Sequence, residues 1–128
     1  MRRNPAQGRF FSSEKGEQAC VVHWLRLKRL PFIAHMTGIP LHGDYALINA
    51  LKQAGCLQAG IPDIQIPLPS GPYHSLWIEL KKEKGGKVSP EQQAWLSMLE
   101  RHGHKAVIAS GAGQAIEAIT QYLKDGSP

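Results

Sequence analysis

The sequence predicts a single α/β domain, and three observations agree on this. The 128 residues are enough for one domain with its own core but too few for two. Segments with apolar residues at three- and four-residue spacing alternate with short strand-like runs, which predicts the order α-β-α-β-β-α-β-α. A composition that is 42% hydrophobic and 20% charged is typical of a globular protein and argues against disorder.

The first half of the chain predicts a basic arm, a helix, a strand and a second helix. Residues 1–12 combine arginines with Pro, Gln and Gly, and we expect a flexible arm there, ahead of a single domain at residues 13–125. Apolar residues at helical spacing predict a helix over Ser13–Arg29, which a proline ends. A short strand is expected at residues 31–36. A second helix is expected over Asp44–Ala54, with a glycine as its stop. Its apolar face comprises Leu47, Ile48 and Leu51.

The second half predicts a β-hairpin, a helix, a strand and a closing helix. The expected elements are strands at 61–68 and 74–81, a helix at 89–102, a strand at 105–109 and a helix at 113–124. A turn rich in proline and glycine joins the two hairpin strands. The third helix has the strongest start signal, because Ser89 as N-cap, Pro90 at the first position and Gln92 at the third form a capping box.

Three charged residues enter the hairpin strands, which are otherwise strongly apolar. Asp63 lies near the start of the first strand, and Glu79 and Lys81 point to one face of the second because strand side chains alternate. Closing the hairpin sets Asp63 opposite position 78 or 79. An arbitrary Glu-x-Lys is more often a surface ion pair. Here the apolar neighbours argue against that interpretation, since two carboxylates in such a sheet repel one another unless a cation compensates.

The side-chain chemistry of this group predicts a divalent metal ion. Oxygens of Asp63 and Glu79, together with the backbone carbonyl of Leu80, suit Mg²⁺ or Mn²⁺, and water would complete the coordination shell. An ion in such a site polarises a scissile phosphate and orients the attacking water. Lys81 would hold that water or offset charge on the transition state. The spacing therefore points to phosphodiester hydrolysis.

Residues outside the hairpin add a carboxylate and several cations. Glu17 shares a helix face with apolar residues and is favoured as a further ligand, whereas Glu14, one turn earlier, is interpreted as a solvated acid at the helix start. The net charge of +5 and the pI of about 9.4 favour an anionic partner, nucleic acid first. The residues expected to contact DNA phosphates are Lys82, Lys84, Lys87, Arg26 and Arg29. No base-reading motif is evident, so structure-selective cutting is expected.

The apolar segments, the cysteines and the histidines limit where the protein is expected to act and which metal chemistry is expected. No apolar run approaches the roughly 20 residues of a membrane span, and the first residues lack a secretion signal, so no membrane association and a cytoplasmic location are expected. Cys20 and Cys56 are isolated and are expected to be buried thiols in a reducing compartment. His35 and the other histidines show no metal-ligand spacing and are interpreted as surface or satisfied core residues.

Four segments, taken together and in order, resemble the signature of a known family. They are Gly60-Ile61-Pro62-Asp63, Ile78-Glu79-Leu80-Lys81, Gly86-Lys87-Val88-Ser89-Pro90-Glu91-Gln92 and Trp95. The sequence resembles the stand-alone VRR-NUC nucleases of bacteria and phages, which belong to the restriction-endonuclease-like PD-(D/E)xK superfamily. The similarity extends from the first helix to the last.

The resemblance implies an α-β-β-β-α-β core with a central mixed sheet flanked by helices. It implies Mg²⁺- or Mn²⁺-dependent DNA cleavage, with Asp63 and Glu79 as ligands, Lys81 as the catalytic lysine and Glu17 as the helix-borne acid. Gln92 matches a glutamine near the family's active site, although the capping box explains it equally well. Stand-alone members resemble Holliday-junction resolvases and act as dimers or higher assemblies. The alternatives are a nuclease for flaps, nicks or duplex, and a DNA-binding protein without turnover.

Overall fold

The computed structural model describes residues 14–35 and 44–125, which form a four-stranded sheet with helices on both faces. The expected arm at residues 1–12 lies outside the described residues. The helices are α1 (Glu14–Leu27), α2 (Tyr45–Gln53), α3 (Pro90–Arg101) and α4 (Ala112–Asp125). The strands are β1 (Ile33–Ala34), β2 (Ile64–Ile66), β3 (Leu76–Lys81) and β4 (Lys105–Ser110). The predicted order of elements is confirmed.

The sheet is mixed, with strand order β1-β2-β3-β4. β1 pairs antiparallel with β2 and β2 antiparallel with β3, whereas β4 runs parallel to β3. A parallel partner requires a crossover connection, and α3 supplies it between β3 and β4. The sheet therefore has two edges, a two-residue strand at one side and a six-residue strand at the other.

The core fills one face of the sheet, between the strands and the pair α1 and α4. Ile78 and Leu80 point to this face and are buried with residues of both helices, Val21, Leu25, Ala115, Ile119 and Tyr122. Tyr122 also fastens α4 to the segment after β2, because its hydroxyl donates to the carbonyl of Leu68 at 2.6 Å. Burial raises the pKa of this hydroxyl.

The opposite face of the sheet carries α3. Because strand side chains alternate, Trp77, Glu79 and Lys81 point away from the core that Ile78 and Leu80 fill. The predicted capping box at the start of α3 is confirmed: Ser89 Oγ accepts from the Gln92 amide at 3.1 Å, and Gln92 Oε1 accepts from the Ser89 amide at 2.8 Å. The first turn of α3 is thereby fixed beside the end of β3.

The expected burial of both cysteine thiols is wrong, because Cys56, which follows α2, is exposed and Cys20 is only partly covered. The predicted apolar face of α2 is partly covered: Ile48 and Leu51 are half-buried, Leu47 is 42% exposed, and no residue of the helix is fully buried. The segment from α2 to Cys56 lies outside the core. Among the described residues, no helix has the length and apolar character needed to span a membrane.

Candidate active site

Asp63 and Glu79 lie side by side across two neighbouring strands. Ile64 pairs with Ile78, and the same antiparallel register continued by one residue sets Asp63 opposite Glu79. The amide of Leu80 donates to Asp63 Oδ2 at 2.7 Å. Just before β2 begins, the Asp63 carboxylate therefore accepts the hydrogen bond that a backbone carbonyl accepts within a sheet. Asp63 is 6% exposed and Glu79 is 2% exposed. Two acids are thus held close together with little water around them.

A lysine and a glutamine surround the Glu79 carboxylate. Lys81 Nζ lies 3.5 Å from Glu79 Oε1, and both side chains are less than a tenth exposed. Gln92 bridges the two, since its Nε2 donates to Glu79 Oε1 at 2.6 Å and its Oε1 accepts from Lys81 Nζ at 2.9 Å. The same Gln92 oxygen accepts from the Ser89 amide in the helix cap. The capping box and the charged group are therefore one hydrogen-bond network.

Gly60 explains why the motif before Asp63 begins with glycine. It has φ +90°, and a Cβ at this position would lie 2.6 Å from the backbone carbon and oxygen of Glu91. The loop before Asp63 therefore packs directly on the backbone of α3's first turn. A side chain at position 60 would separate that turn from the strand that carries Asp63.

Gly86 allows a similar close approach on the other side of the site. A Cβ there would lie 2.7 Å from Lys81 Cβ, so the loop after β3 folds tightly against the Lys81 side chain. The rest of this loop is open, and Lys82, Lys84 and Lys87 are exposed. Their proximity in sequence to Lys81 supports the prediction that they contact phosphates. Arg26 and Arg29, at the end of α1, are also exposed.

The structure does not bring Glu17 together with the acidic pair. Its Oε2 accepts a short hydrogen bond from the Ala112 amide at the start of α4. The α1 and α4 helices pack on the core face of the sheet, whereas Glu79 points to the α3 face. Glu17 therefore has a structural partner of its own, as an acid at a helix N-terminus. Its assignment as a metal ligand remains a prediction.

Comparison with known proteins identifies the family. A sequence model of the VRR-NUC domain matches residues 12–113.

The chain belongs to the VRR-NUC family.

A solved structure described as a VRR_NUC domain protein is also similar, with 34% sequence identity and a TM-score of 0.69, over 90% of this chain and 91% of that chain. No protein of curated function matches. These comparisons confirm the predicted restriction-endonuclease-like architecture, and the family implies a nuclease domain with DNA as its substrate.

The structure of this VRR-NUC domain adds His35, which the sequence interpretation did not connect with the site. Its amide donates to the carbonyl of Asp63 at 2.7 Å, which places it across from Asp63 on the strand side away from Glu79. Its ring stacks on Trp77 with centroids 5.4 Å apart. Burial lowers the pKa of His35, and the negative charge of Asp63 offsets this in part. Only the pairing of β1 with β2 reveals this position, because His35 belongs to no sequence motif.

The oxygen donors of this VRR-NUC domain fit a hard divalent cation. The described residues hold no group of three or more His, Cys, Asp or Glu side chains placed to bind a metal ion. Mg²⁺ does not require such a group, since it is commonly held by one or two carboxylates and keeps several waters. Asp63 and Glu79 supply two buried carboxylates, and the backbone of Leu80 lies against Asp63. The donor chemistry therefore suits Mg²⁺ or Mn²⁺.

Proposed function

We propose that this VRR-NUC domain is a Mg²⁺- or Mn²⁺-dependent, structure-selective DNA endonuclease, with four-way junctions among its candidate substrates. The observation that carries the proposal is the buried pair Asp63 and Glu79, with Lys81 held beside it by Gln92. Burying two acids together is unfavourable without compensating positive charge, and Lys81 supplies one charge for two carboxylates, so the pair favours a further cation. The family supplies the nuclease context.

Each residue of the group has a task in this reaction. Asp63 and Glu79, with the Leu80 carbonyl, would hold the metal; the chemistry that a bound Mg²⁺ or Mn²⁺ would supply is polarisation of the scissile phosphate and a lower pKa for an attacking water. Lys81 is placed to hold the nucleophilic water or to stabilise charge that develops on the phosphate oxygens. Gln92 fixes the Lys81 ammonium through its own carbonyl oxygen, so the lysine is positioned before the substrate arrives.

Selectivity for DNA structure follows from the kind of contacts that the surface offers. The exposed lysines after β3 can contact phosphates, and such contacts orient DNA without reading sequence. A two-fold dimer would present two sites to the symmetric strands of a branched substrate. The proposal includes such a homodimer and a location in the cytoplasm of a bacterial cell, whether the domain is encoded by the bacterium or by a phage.

The central experiment compares Asp63→Asn and Glu79→Gln with the wild type on junction, flap, nicked and duplex DNA, with Mg²⁺ or Mn²⁺. Each variant keeps the shape of its side chain and removes a negative charge. We expect cleavage to fall by at least about 10²-fold while DNA binding persists. Glu91→Gln is the matched control, because Glu91 is exposed in the first turn of the same helix as Gln92, and this substitution should leave cleavage unchanged.

Two results would contradict the proposal. If Asp63→Asn and Glu79→Gln cut all four DNAs as fast as the wild type, the site is misassigned. If the wild type binds the DNAs but cuts none of them with either metal, the domain is a DNA-binding protein that keeps the nuclease fold. If flaps, nicks or plain duplex are cut in preference to junctions, the proposed metal-dependent hydrolysis stands, and that DNA takes the place of the junction as the substrate.

A further inference from the structure

We propose that His35 is an outer partner of the cation site: its imidazole Nε2 accepts a hydrogen bond from a water molecule that the divalent cation holds. The inference rests on the proposed function, because it assigns a further positioning residue to the same site. It adds no direct ligand to the carboxylates of Asp63 and Glu79. The place of His35 in the sheet, the stacking of its ring and one buried nitrogen atom support it.

His35 stands in one row with the two acids. The antiparallel register of β1 and β2, continued by one residue, sets His35 opposite Asp63. The 2.7 Å hydrogen bond from the His35 amide to the Asp63 carbonyl agrees with this pairing. Asp63 is itself opposite Glu79, and residues directly opposite each other project to the same face. The three side chains therefore share the α3 face, and neighbours in such a row have Cβ atoms about 5 Å apart.

The ring of His35 is held in place from β3. It stacks on the ring of Trp77, with centroids 5.4 Å apart and an interplanar angle of 11°. Because β2 lies between β1 and β3, the two rings meet above β2, the strand that follows Asp63. Trp77 is fixed at its own edge, since its Nε1 donates to Ser75 Oγ at 2.9 Å. Packing therefore sets the orientation of the imidazole before any ligand binds.

One nitrogen of this ring is buried without a partner. His35 Nε2 is closed to solvent and makes no hydrogen bond within the described residues. A buried polar atom that lacks a partner costs free energy, and a bound water or ion is a common reason for keeping one. Stacking alone does not explain the nitrogen, because a phenylalanine ring would stack on Trp77 as well. The atom therefore points to a ligand.

The chemistry of the site indicates that this ligand is a water molecule. The described residues contain no group of three acidic, histidine or cysteine side chains placed to bind one metal ion, so the imidazole is not a direct ligand. Mg²⁺ keeps several waters when one or two carboxylates hold it, and such waters turn their hydrogens outward to acceptors. A neutral imidazole with its proton on Nδ1 presents an acceptor lone pair at Nε2.

The test measures Mn²⁺ binding to the full chain by titration calorimetry, without DNA. His35→Phe keeps a ring that stacks on Trp77 and removes the nitrogen, so it should raise the Mn²⁺ dissociation constant by at least about 10-fold. His35→Gln restores an acceptor of similar reach and should recover most of the affinity. His102→Phe is the control, because His102 is exposed at the end of α3 and should leave the constant unchanged.

Thermal unfolding of the metal-free proteins separates this task from a structural one. If Nε2 serves only a bound water, removing it costs the metal-free protein nothing, and His35→Phe should have a Tm equal to or above that of the wild type. A lower Tm for His35→Phe, with no recovery of Mn²⁺ binding in His35→Gln, would make His35 a structural residue and overturn the proposal.

Asp63→Asn distinguishes this inference from the proposed function. The inference alone is overturned if Mn²⁺ binding depends on Asp63 and His35→Phe binds the ion as tightly as the wild type. It is also overturned if His35→Phe loses affinity for junction DNA and none for Mn²⁺, since Nε2 would then serve the DNA. If Asp63→Asn binds Mn²⁺ as the wild type does, the cation site itself is misassigned and both proposals fall. The nuclease proposal fails separately if Mn²⁺ binds through Asp63 and no DNA is cut.

Discussion

Gln92 has two structural tasks that are separable by mutation. Its backbone amide donates to Ser89 Oγ in the helix cap, while its side chain contacts Glu79, Lys81 and the Ser89 amide. The contacts to Glu79 and Lys81 depend on the Gln92 side chain and not on the Ser89 hydroxyl. A change at Ser89 therefore tests the helix cap, and a change at Gln92 tests the site as well.

We expect Ser89→Ala to lower the free energy of unfolding by about 1 kcal/mol, the usual cost of a lost N-cap. Its cleavage should stay near the wild-type rate, because Gln92 keeps its contacts. Gln92→Ala should lower cleavage by about 10²-fold, since Lys81 loses the group that orients it. Chemical denaturation and single-turnover cleavage measure the two effects. Equal losses of cleavage in both variants would assign Gln92 to the cap alone.

At the level of single residues, the sequence pointed to the site residues that lie in recognisable motifs. Asp63, Glu79, Lys81 and Gln92 could be singled out because charge within apolar strands and a capping box are visible in the sequence. His35 could not, because its place beside Asp63 depends on a pairing between segments thirty residues apart. The partner of Glu17 was equally hidden, since the start of α4 meets α1 only in the folded chain.

Glycine at the start of the Asp63 segment determines how closely a loop and a helix pack. We expect Gly60→Ala to lower the free energy of unfolding by about 2–3 kcal/mol, because the added Cβ would overlap the backbone of Glu91 and the positive φ is strained. Gly113→Ala is the matched control. That glycine lies in the first turn of α4 with nothing within 4 Å, so alanine should be neutral or stabilise by up to about 1 kcal/mol. Thermal and urea denaturation would measure both.

Equal destabilisation by the two alanine substitutions would contradict this explanation. It would mean that the loss of stability comes from replacing any glycine, and not from the contact between Gly60 and α3. Measuring cleavage by Gly60→Ala at a temperature where it is folded would then show whether the loop also holds Asp63 in place.

The sequence predicted the type of each helix and strand better than its length. β2 was expected over eight residues and has three, Ile64–Ile66. Prolines flank it at positions 62, 67 and 69. In addition, the Leu80 amide of β3 donates to the side chain of Asp63, whereas in a longer β2 it would donate to a backbone carbonyl. The periodicity of α2 correctly indicated a helix. It could not show what that helix would pack against, because a helical pattern carries no information on its neighbour.

The basic surface of the whole molecule predicts strongly salt-dependent DNA binding. If six or more phosphates are neutralised, affinity should fall by about 10³-fold or more between 50 and 200 mM salt. Replacing Lys82, Lys84 and Lys87 together with alanine should reduce the slope of log K against log salt by about 3. Replacing Lys52 and Lys124, which are exposed on α2 and α4, should leave it unchanged. Fluorescence anisotropy with a labelled junction provides the measurement.

A slope that is unaffected by the triple substitution would move the DNA-contacting surface away from the loop after β3. In that case Arg26 and Arg29 at the end of α1 become the first residues to test.

The contacts that build the site and those that close the core differ in how far apart their partners lie along the chain. Asp63 and the Leu80 amide are 17 residues apart, Glu79 and Gln92 are 13 apart, and Lys81 and Gln92 are 11 apart. The contact of Ser70 with Tyr122 spans 52 residues, and that of Glu17 with Ala112 spans 95. Short chain loops cost less entropy to close. The candidate site is therefore a locally encoded unit of 33 residues, Gly60 to Gln92, and its assembly during folding does not have to wait for the two ends of the chain to meet.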